Sequence, residues 1–180
     1  MKQKLFIVVV ALQGAWVLYT VAVQERALAI GQVIQLETER VDPRDLLRGD
    51  YLILNYKISN VPKNLFSPPV DKYLPPGTKV NFVLEPRGEF YALVRASTNA
   101  LSIAAGELLL KARSTWSWGN ATNAVRVEYG LERYYVREGT GNPSGTLTLQ
   151  AVVPASGRAS IKQVFLDDKP YTEAMRKSFR

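Results

Sequence analysis

Residues 51–59, Tyr51-Leu52-Ile53-Leu54-Asn55-Tyr56-Lys57-Ile58-Ser59, alternate apolar and polar side chains, so that Leu52, Leu54, Tyr56 and Ile58 share one face. A period of two is the signature of a half-buried strand. Shorter versions of the pattern recur outward from it. Residues 31–39 place Val33 and Leu36 among polar neighbours, and residues 78–85 put Val80, Phe82 and Leu84 on one side. Residues 90–96, 107–113, 124–129, 134–137, 146–153 and 159–166 complete the set, rich in Val, Leu, Phe and Tyr. Breakers such as Pro75-Pro76-Gly77 and Gly139-Thr140-Gly141-Asn142 separate them. The expectation is a mainly β domain, a compact antiparallel β-sandwich or partly open barrel. Residues 61–77 hold five of the ten prolines and read as one long irregular connection. Helix is expected in the N-terminal segment, with an extension through residues 27–30, and in a turn near residues 43–47.

Residues 5–23 contain nineteen amino acids without a charge. As a helix they span roughly 28 Å, close to the ~30 Å hydrocarbon core of a bilayer. Trp16 and Tyr19 stand toward the far end, where interfacial aromatics are favoured. Lys2 and Lys4 precede the stretch, while Gln24, Glu25 and Arg26 follow it, which puts the N-terminus in the cytoplasm by the positive-inside rule. A cleaved signal peptide is the rival reading, with Thr20-Val21-Ala22 or Ala27-Leu28-Ala29 as the cleavage site. The stretch exceeds the roughly 7–15 residues of a typical signal-peptide core, which favours a retained single-pass anchor in a lipid bilayer. The expected layout is a cytoplasmic N-terminus at 1–4, the anchor at 5–23, an extracytoplasmic β domain at 24–168 and a basic C-terminal tail at 169–180.

Composition removes whole classes of chemistry. Apolar residues make up 47% of the 180 and charged residues 22%, a globular balance. With no cysteine there are no disulfides, thiolate metal sites or thiol nucleophiles. With no histidine, Ser-His and Cys-His pairs and the commonest metal ligand are gone too. No cofactor fingerprint or metal-binding pattern occurs, and no nucleic-acid-binding pattern accompanies the net charge of +7. Setting aside Lys2 and Lys4 leaves +5 beyond the anchor.

The densest special chemistry lies in Val41-Asp42-Pro43-Arg44-Asp45-Leu46-Leu47-Arg48-Gly49-Asp50-Tyr51. Asp42 before Pro43 suits an Asx-type turn, and Arg44, Asp45, Arg48 and Asp50 set two cations and two anions within seven residues. Gly49 permits a positive φ at a sharp turn into the strand. A rigid corner stapled by ion pairs is the leading reading, with a binding surface second.

Gly49, Asp50, Tyr51, Leu54 and Tyr56 match the motif GDYxxLxY at every defined position. The chain thereby resembles the GDYXXLXY-motif family of small bacterial membrane-anchored proteins. Farther on, residues 129–139, with Tyr129, Gly130, Glu132, Arg133, Tyr134, Val136, Glu138 and Gly139, are similar to a second signature of that family, YG-x-E-x-Y/F-x-V-x-EG. Arg137 stands where proline is common. The resemblance implies little about activity, but it implies a companion of a multi-spanning inner-membrane protein.

A GD before a strand also resembles signal peptidases and related serine–lysine proteases. Laid over that pattern, Val41 falls where the nucleophilic serine would stand and Val125 where the lysine would be. Neither valine can act in such a step. Glu128, Glu132 and Glu138 are interspersed with Arg126, Arg133 and Arg137, which predicts neutralising ion pairs rather than a carboxylate pair. Trp116 and Trp118 are expected to cap the core. The expectation is a non-enzymatic accessory or assembly component of a multi-spanning membrane protein. A membrane-tethered hydrolase, or a module binding an anionic envelope polymer or lipid headgroup, are the alternatives.

Overall fold

Gln32–Glu39 (β1) opens the β domain with Ile34 and Leu36 buried on one face. Val33 faces outward at 42% exposure, so the buried face is that of Ile34 and Leu36. The computed structural model describes residues 2–39, 51–70, 74–116, 123–136 and 145–176. The chain divides into two compact units, Met1–Gly31 and Gln32–Arg180.

The first unit is one helix, α1 (Lys2–Ile30), closed by the Gly31 N–H donating to the Ala27 carbonyl at 3.0 Å. Its apolar residues are exposed on every side, and the segment Gln3–Ile30 is long and apolar enough to cross a membrane, its most apolar 18-residue window having a mean hydropathy of 2.2. The helix runs past Val23 because residues 24–30 combine good helix formers, Gln, Glu, Arg, Ala and Leu, with no glycine or proline.

In the second unit, the run at 51–59 is cut into three. Tyr51–Ile53 forms β2, Asn55–Tyr56 forms β3, and Lys57–Ser59 winds into a 3₁₀ turn. The alternation still governs burial: Leu52, Leu54 and Tyr56 are all buried. Asn60–Pro62 (β4) and a second 3₁₀ turn, Lys63–Leu65, occupy the start of the stretch expected to be irregular. Val61 and Phe66 bury there, so the start of the stretch is packed into the domain rather than irregular. The remaining strands are β5 (Lys79–Arg87), β6 (Phe90–Ser97), β7 (Leu108–Ser114), β8 (Ala124–Glu128), β9 (Arg133–Tyr135), β10 (Leu147–Val153), β11 (Ser160–Leu166) and β12 (Lys169–Pro170), followed by α2 (Tyr171–Arg176).

One sheet has the order β12-β11-β10-β1-β3 and the other β4-β8-β7-β5-β6, with every pair antiparallel. A two-stranded ribbon, β2-β9, stands apart from both, and among the described residues no sheet closes into a barrel. Register aligns the buried faces. Ile34 and Leu36 oppose Ala151 and Leu149 in the first sheet, while Val80, Phe82 and Leu84 oppose Ala112, Leu110 and Leu108 in the second. These side chains belong to one buried cluster, each large member worth about 1.5–3 kcal/mol of burial. The β11–β12 hairpin turns through Asp167 and Asp168 at φ 47° and 64°, the double positive φ of a type I′ turn.

The expected C-terminal tail is folded through residue 176. It contributes β12 and α2, and Tyr171 and Met175 bury against the cluster. The basic residues beyond it, at 177–180, lie outside the described residues.

Candidate functional site

The two signature segments meet. Strand β2 pairs with β9 so that Tyr51, Leu52 and Ile53 oppose Tyr135, Tyr134 and Arg133. Past the end of the ribbon the Leu54 N–H donates to the Glu132 carbonyl at 2.8 Å, which continues the ladder by one rung. Strand β3 then leaves for β1, with Tyr56 opposite Thr38. Leu54, 1% exposed, sits at this switch between the ribbon and the first sheet.

Two tyrosines hold the junction. The fully buried Tyr56 donates its hydroxyl to the Leu131 carbonyl at 2.5 Å, and Tyr129 donates its own to the Ile58 carbonyl at 2.7 Å. Their rings meet edge to face at 6.3 Å, and Tyr129 also packs on Phe82 at 5.7 Å. Burial, together with the nearby Glu132 carboxylate, pushes both phenols far above their ordinary range. They therefore act as neutral donors. The 3₁₀ turn after Tyr56 is tied by the Tyr56 N–H donating to Ser59 Oγ at 3.3 Å.

Among the described residues Glu132 does not form the ion pair expected of it. Its Oε1 accepts the Tyr129 N–H at 2.5 Å and its Oε2 the Gly130 N–H at 2.9 Å, so the carboxylate closes the β8–β9 connection as a local cap. Gly130 takes φ +82° there, a left-handed conformation that favours glycine. Desolvation raises the Glu132 pKa above the usual carboxylate value, and the Glu128 charge adds to this. The backbone N–H donors act in the opposite sense. The arginines also find other partners. Arg126 reaches Asn55 Oδ1 at 3.3 Å, and Arg133 lies over the Tyr51 ring at 5.8 Å, beside the Tyr51–Tyr135 pair. Sequence reasoning missed Ser59, Ile58 and Leu131. The three-residue spacing from Tyr56 to Ser59 was the one available signal, because the two carbonyl acceptors leave no trace in side-chain chemistry.

Asp42, Pro43, Arg44, Asp45, Arg48, Gly49 and Asp50 of the expected corner lie outside the described residues, as do Val41, Trp118, Arg137, Glu138 and Gly139. Trp116 is 66% exposed rather than packed over the core. Val125, at the position a catalytic lysine would hold in the protease likeness, is buried in β8 opposite Val61. The buried serines serve backbone. Ser59 Oγ takes the Tyr56 N–H, Ser97 Oγ takes the Asn99 N–H, and Ser114 Oγ takes the Thr78 N–H while donating to the Pro75 carbonyl. Among the described residues no three carboxylates gather closely enough to ligate a metal ion.

Fold and junction together define a small antiparallel β protein whose two signature segments are laced to each other by a tyrosine pair, preceded by a long apolar helix. The chain belongs to the GDYXXLXY protein family: the family model matches residues 13–164, from within α1 into β11. No curated protein and no solved structure matches it. The junction explains the motif's last three positions in physical terms. Tyr51 stacks on the ribbon, Leu54 fills the switch and Tyr56 bolts one signature to the other.

Proposed function

We propose that this chain is a non-enzymatic bacterial inner-membrane protein. Helix α1 holds it in the bilayer, and the β domain stands outside the cytoplasm as an accessory or assembly component of a multi-spanning membrane protein. The observation that carries this reading is α1 itself, 29 residues long, apolar on all sides and with its most hydropathic window fully exposed. A helix of that kind belongs in lipid. Lys2 and Lys4 favour the cytoplasmic side for its start.

A feature at the centre of α1 supports a partner within the membrane. Gln13 lies beside the midpoint of the uncharged stretch, and its side-chain amide makes no hydrogen bond among the described residues. In hydrocarbon an unsatisfied amide seeks a neighbouring helix, a contact worth about 0.6–2 kcal/mol. Gly14 next to it is open on its α-carbon side, which allows close approach of a second backbone.

The test is affinity purification of the tagged full-length chain from detergent-solubilised membranes, followed by a high-salt wash and mass spectrometry. A stoichiometric multi-spanning partner, depleted by Gln13→Leu, is the expected result. A partnerless chain that survives the same wash would overturn the accessory reading.

A further inference from the structure

The outer face of the β5–β7 pair carries bare positive charge. Because Val80, Phe82, Leu110 and Ala112 point into the core, strand alternation turns Lys79, Asn81, Lys111 and Arg113 outward. Register sets Lys79 directly opposite Arg113 and Asn81 opposite Lys111. Like charges facing each other across a ladder are destabilising, and nothing in the packing of the core requires them there.

The cation set is enlarged by a loop. Strand β8 pairs with β7 only at Arg113 and Ser114, which leaves the rest of that β7 edge open. The turn after β10 fills it: the Lys111 N–H donates to the Gly157 carbonyl at 2.8 Å, and the Gly157 N–H donates to the Pro154 carbonyl. This brings Arg158 beside Lys111. Together with Thr98, Glu128 and the Tyr129–Gly130 turn, these residues line a cleft of ≈ 400 Å³. That volume lies within the ordinary range for small-molecule sites.

Four cations and one carboxylate line the cleft. Among the described residues none of Lys79, Lys111, Arg113 and Arg158 forms an ion pair, whereas elsewhere Lys57 pairs with Glu37 and Arg95 with Glu107. Glu128 is the register partner of Arg113 and still does not pair with it. Among the described residues the Arg113 side chain makes only a long hydrogen bond, Nη1 to the Gly77 carbonyl at 3.4 Å. A concave surface on which four cations outnumber one carboxylate focuses positive potential on an incoming counter-ion.

We infer that this cleft binds a phosphate-bearing ligand carrying more than one negative charge. The two guanidinium groups offer planar forks for phosphate oxygens, and the two ammonium groups add point charges. Thr98 stands on the wall with a hydroxyl donor. The Gly130 N–H is already committed to Glu132, so the site works through side chains rather than a backbone cradle. This chemistry has two sources, an anionic lipid headgroup and a soluble phosphate compound.

The full-length chain in dodecyl maltoside is titrated with inorganic pyrophosphate by calorimetry at low salt. In parallel, acetylation of Lys79 and Lys111 is followed by mass spectrometry in micelles with and without cardiolipin. Saturable pyrophosphate binding without cardiolipin protection assigns a soluble ligand. Protection of both lysines without pyrophosphate binding assigns a headgroup, and both together support the shared phosphate chemistry. In each case the double variant Arg113→Gln/Arg158→Gln, which keeps both reporter lysines, weakens the signal about tenfold or more, and raising the salt weakens it further. Lys162→Gln, at an exposed position of β11 that does not line the cleft, leaves it unchanged. Neither binding nor protection, or a signal indifferent to the double variant, overturns the assignment.

Discussion

Tyr56 and Tyr129 bind each other's strands reciprocally: each hydroxyl donates to the carbonyl two residues beyond the other tyrosine, Leu131 and Ile58 respectively. With the rings edge to face at 6.3 Å, the pair joins apolar burial to two directional bonds. The contacts cross more than seventy residues of sequence, so they fix tertiary placement rather than local conformation. This is the physical content of the motif's final tyrosine.

Tyr56→Phe removes a donor and strands the Leu131 carbonyl in a buried site, at an expected cost of about 1–3 kcal/mol in denaturant unfolding. Tyr129→Phe is expected to cost a similar amount at Ile58. Because both bonds hold one junction, the double variant loses less than the two single losses added together, by about 0.5 kcal/mol or more. Strict additivity would show that the two bonds act independently.

Leu54→Ala empties the switch between ribbon and first sheet without touching the backbone bond to Glu132. At 1% exposure the cavity term applies in full, and a loss of about 2–5 kcal/mol is expected. Leu54→Met, close to volume-conserving, is expected to cost less than about 1.5 kcal/mol. The midpoint of urea unfolding for the two variants checks this ordering.

The pH dependence of stability carries a signature of Glu132. Its folded pKa lies above the ordinary value near 4.3, so between the two values the native state binds more protons than the unfolded state. Unfolding free energy then falls as pH rises through that window and is flat above it. Glu107 contributes the opposite slope: the Ala104 N–H first, and Arg95 beside it, lower its pKa, so its stabilisation disappears as pH falls. Glu132→Gln removes only the first effect. The difference between wild type and variant, followed by urea unfolding from acid to neutral pH, isolates it. A difference that does not change with pH would show that Glu132 has no raised pKa.

Gly157→Ala tests the turn that carries Arg158. The residue sits at φ +76°, and a β-carbon would come 3.1 Å from Leu109 Cγ. The left-handed conformation alone costs an alanine about 1–2 kcal/mol. A lowered thermal midpoint is expected, together with weaker hydrogen-exchange protection of the Lys111 amide, whose acceptor is the Gly157 carbonyl.

Much of the fold was legible because alternation and burial are properties of single strands. The runs at 31–39, 78–85, 90–96, 107–113, 124–129, 146–153 and 159–166 all hold strands within a few residues of the expected bounds. The run at 51–59 was legible in burial but not in connectivity. Its apolar face is continuous, yet Leu54 divides two strands that pair with different partners, and no local pattern encodes a partner. The short strands and turns at residues 60–65 were hidden by proline, which lowers strand propensity but is tolerated on β4, at the edge of its sheet. The C-terminal strand and helix were hidden by charge, since two buried side chains, Tyr171 and Met175, suffice to dock so short a segment.

By itself the sequence determined the apolar helix, the β character of the domain after it, the absence of histidine and cysteine chemistry, and the two signatures. Each of these is written in composition or in a period of a few residues. Only the tertiary structure decided that the signatures are one site, that Glu132 caps backbone rather than pairing with arginine, and that Lys79, Lys111, Arg113 and Arg158 share a cleft. Those relations depend on register between strands distant in sequence. Register is set by how all the buried faces fit together, a global condition that no single segment carries.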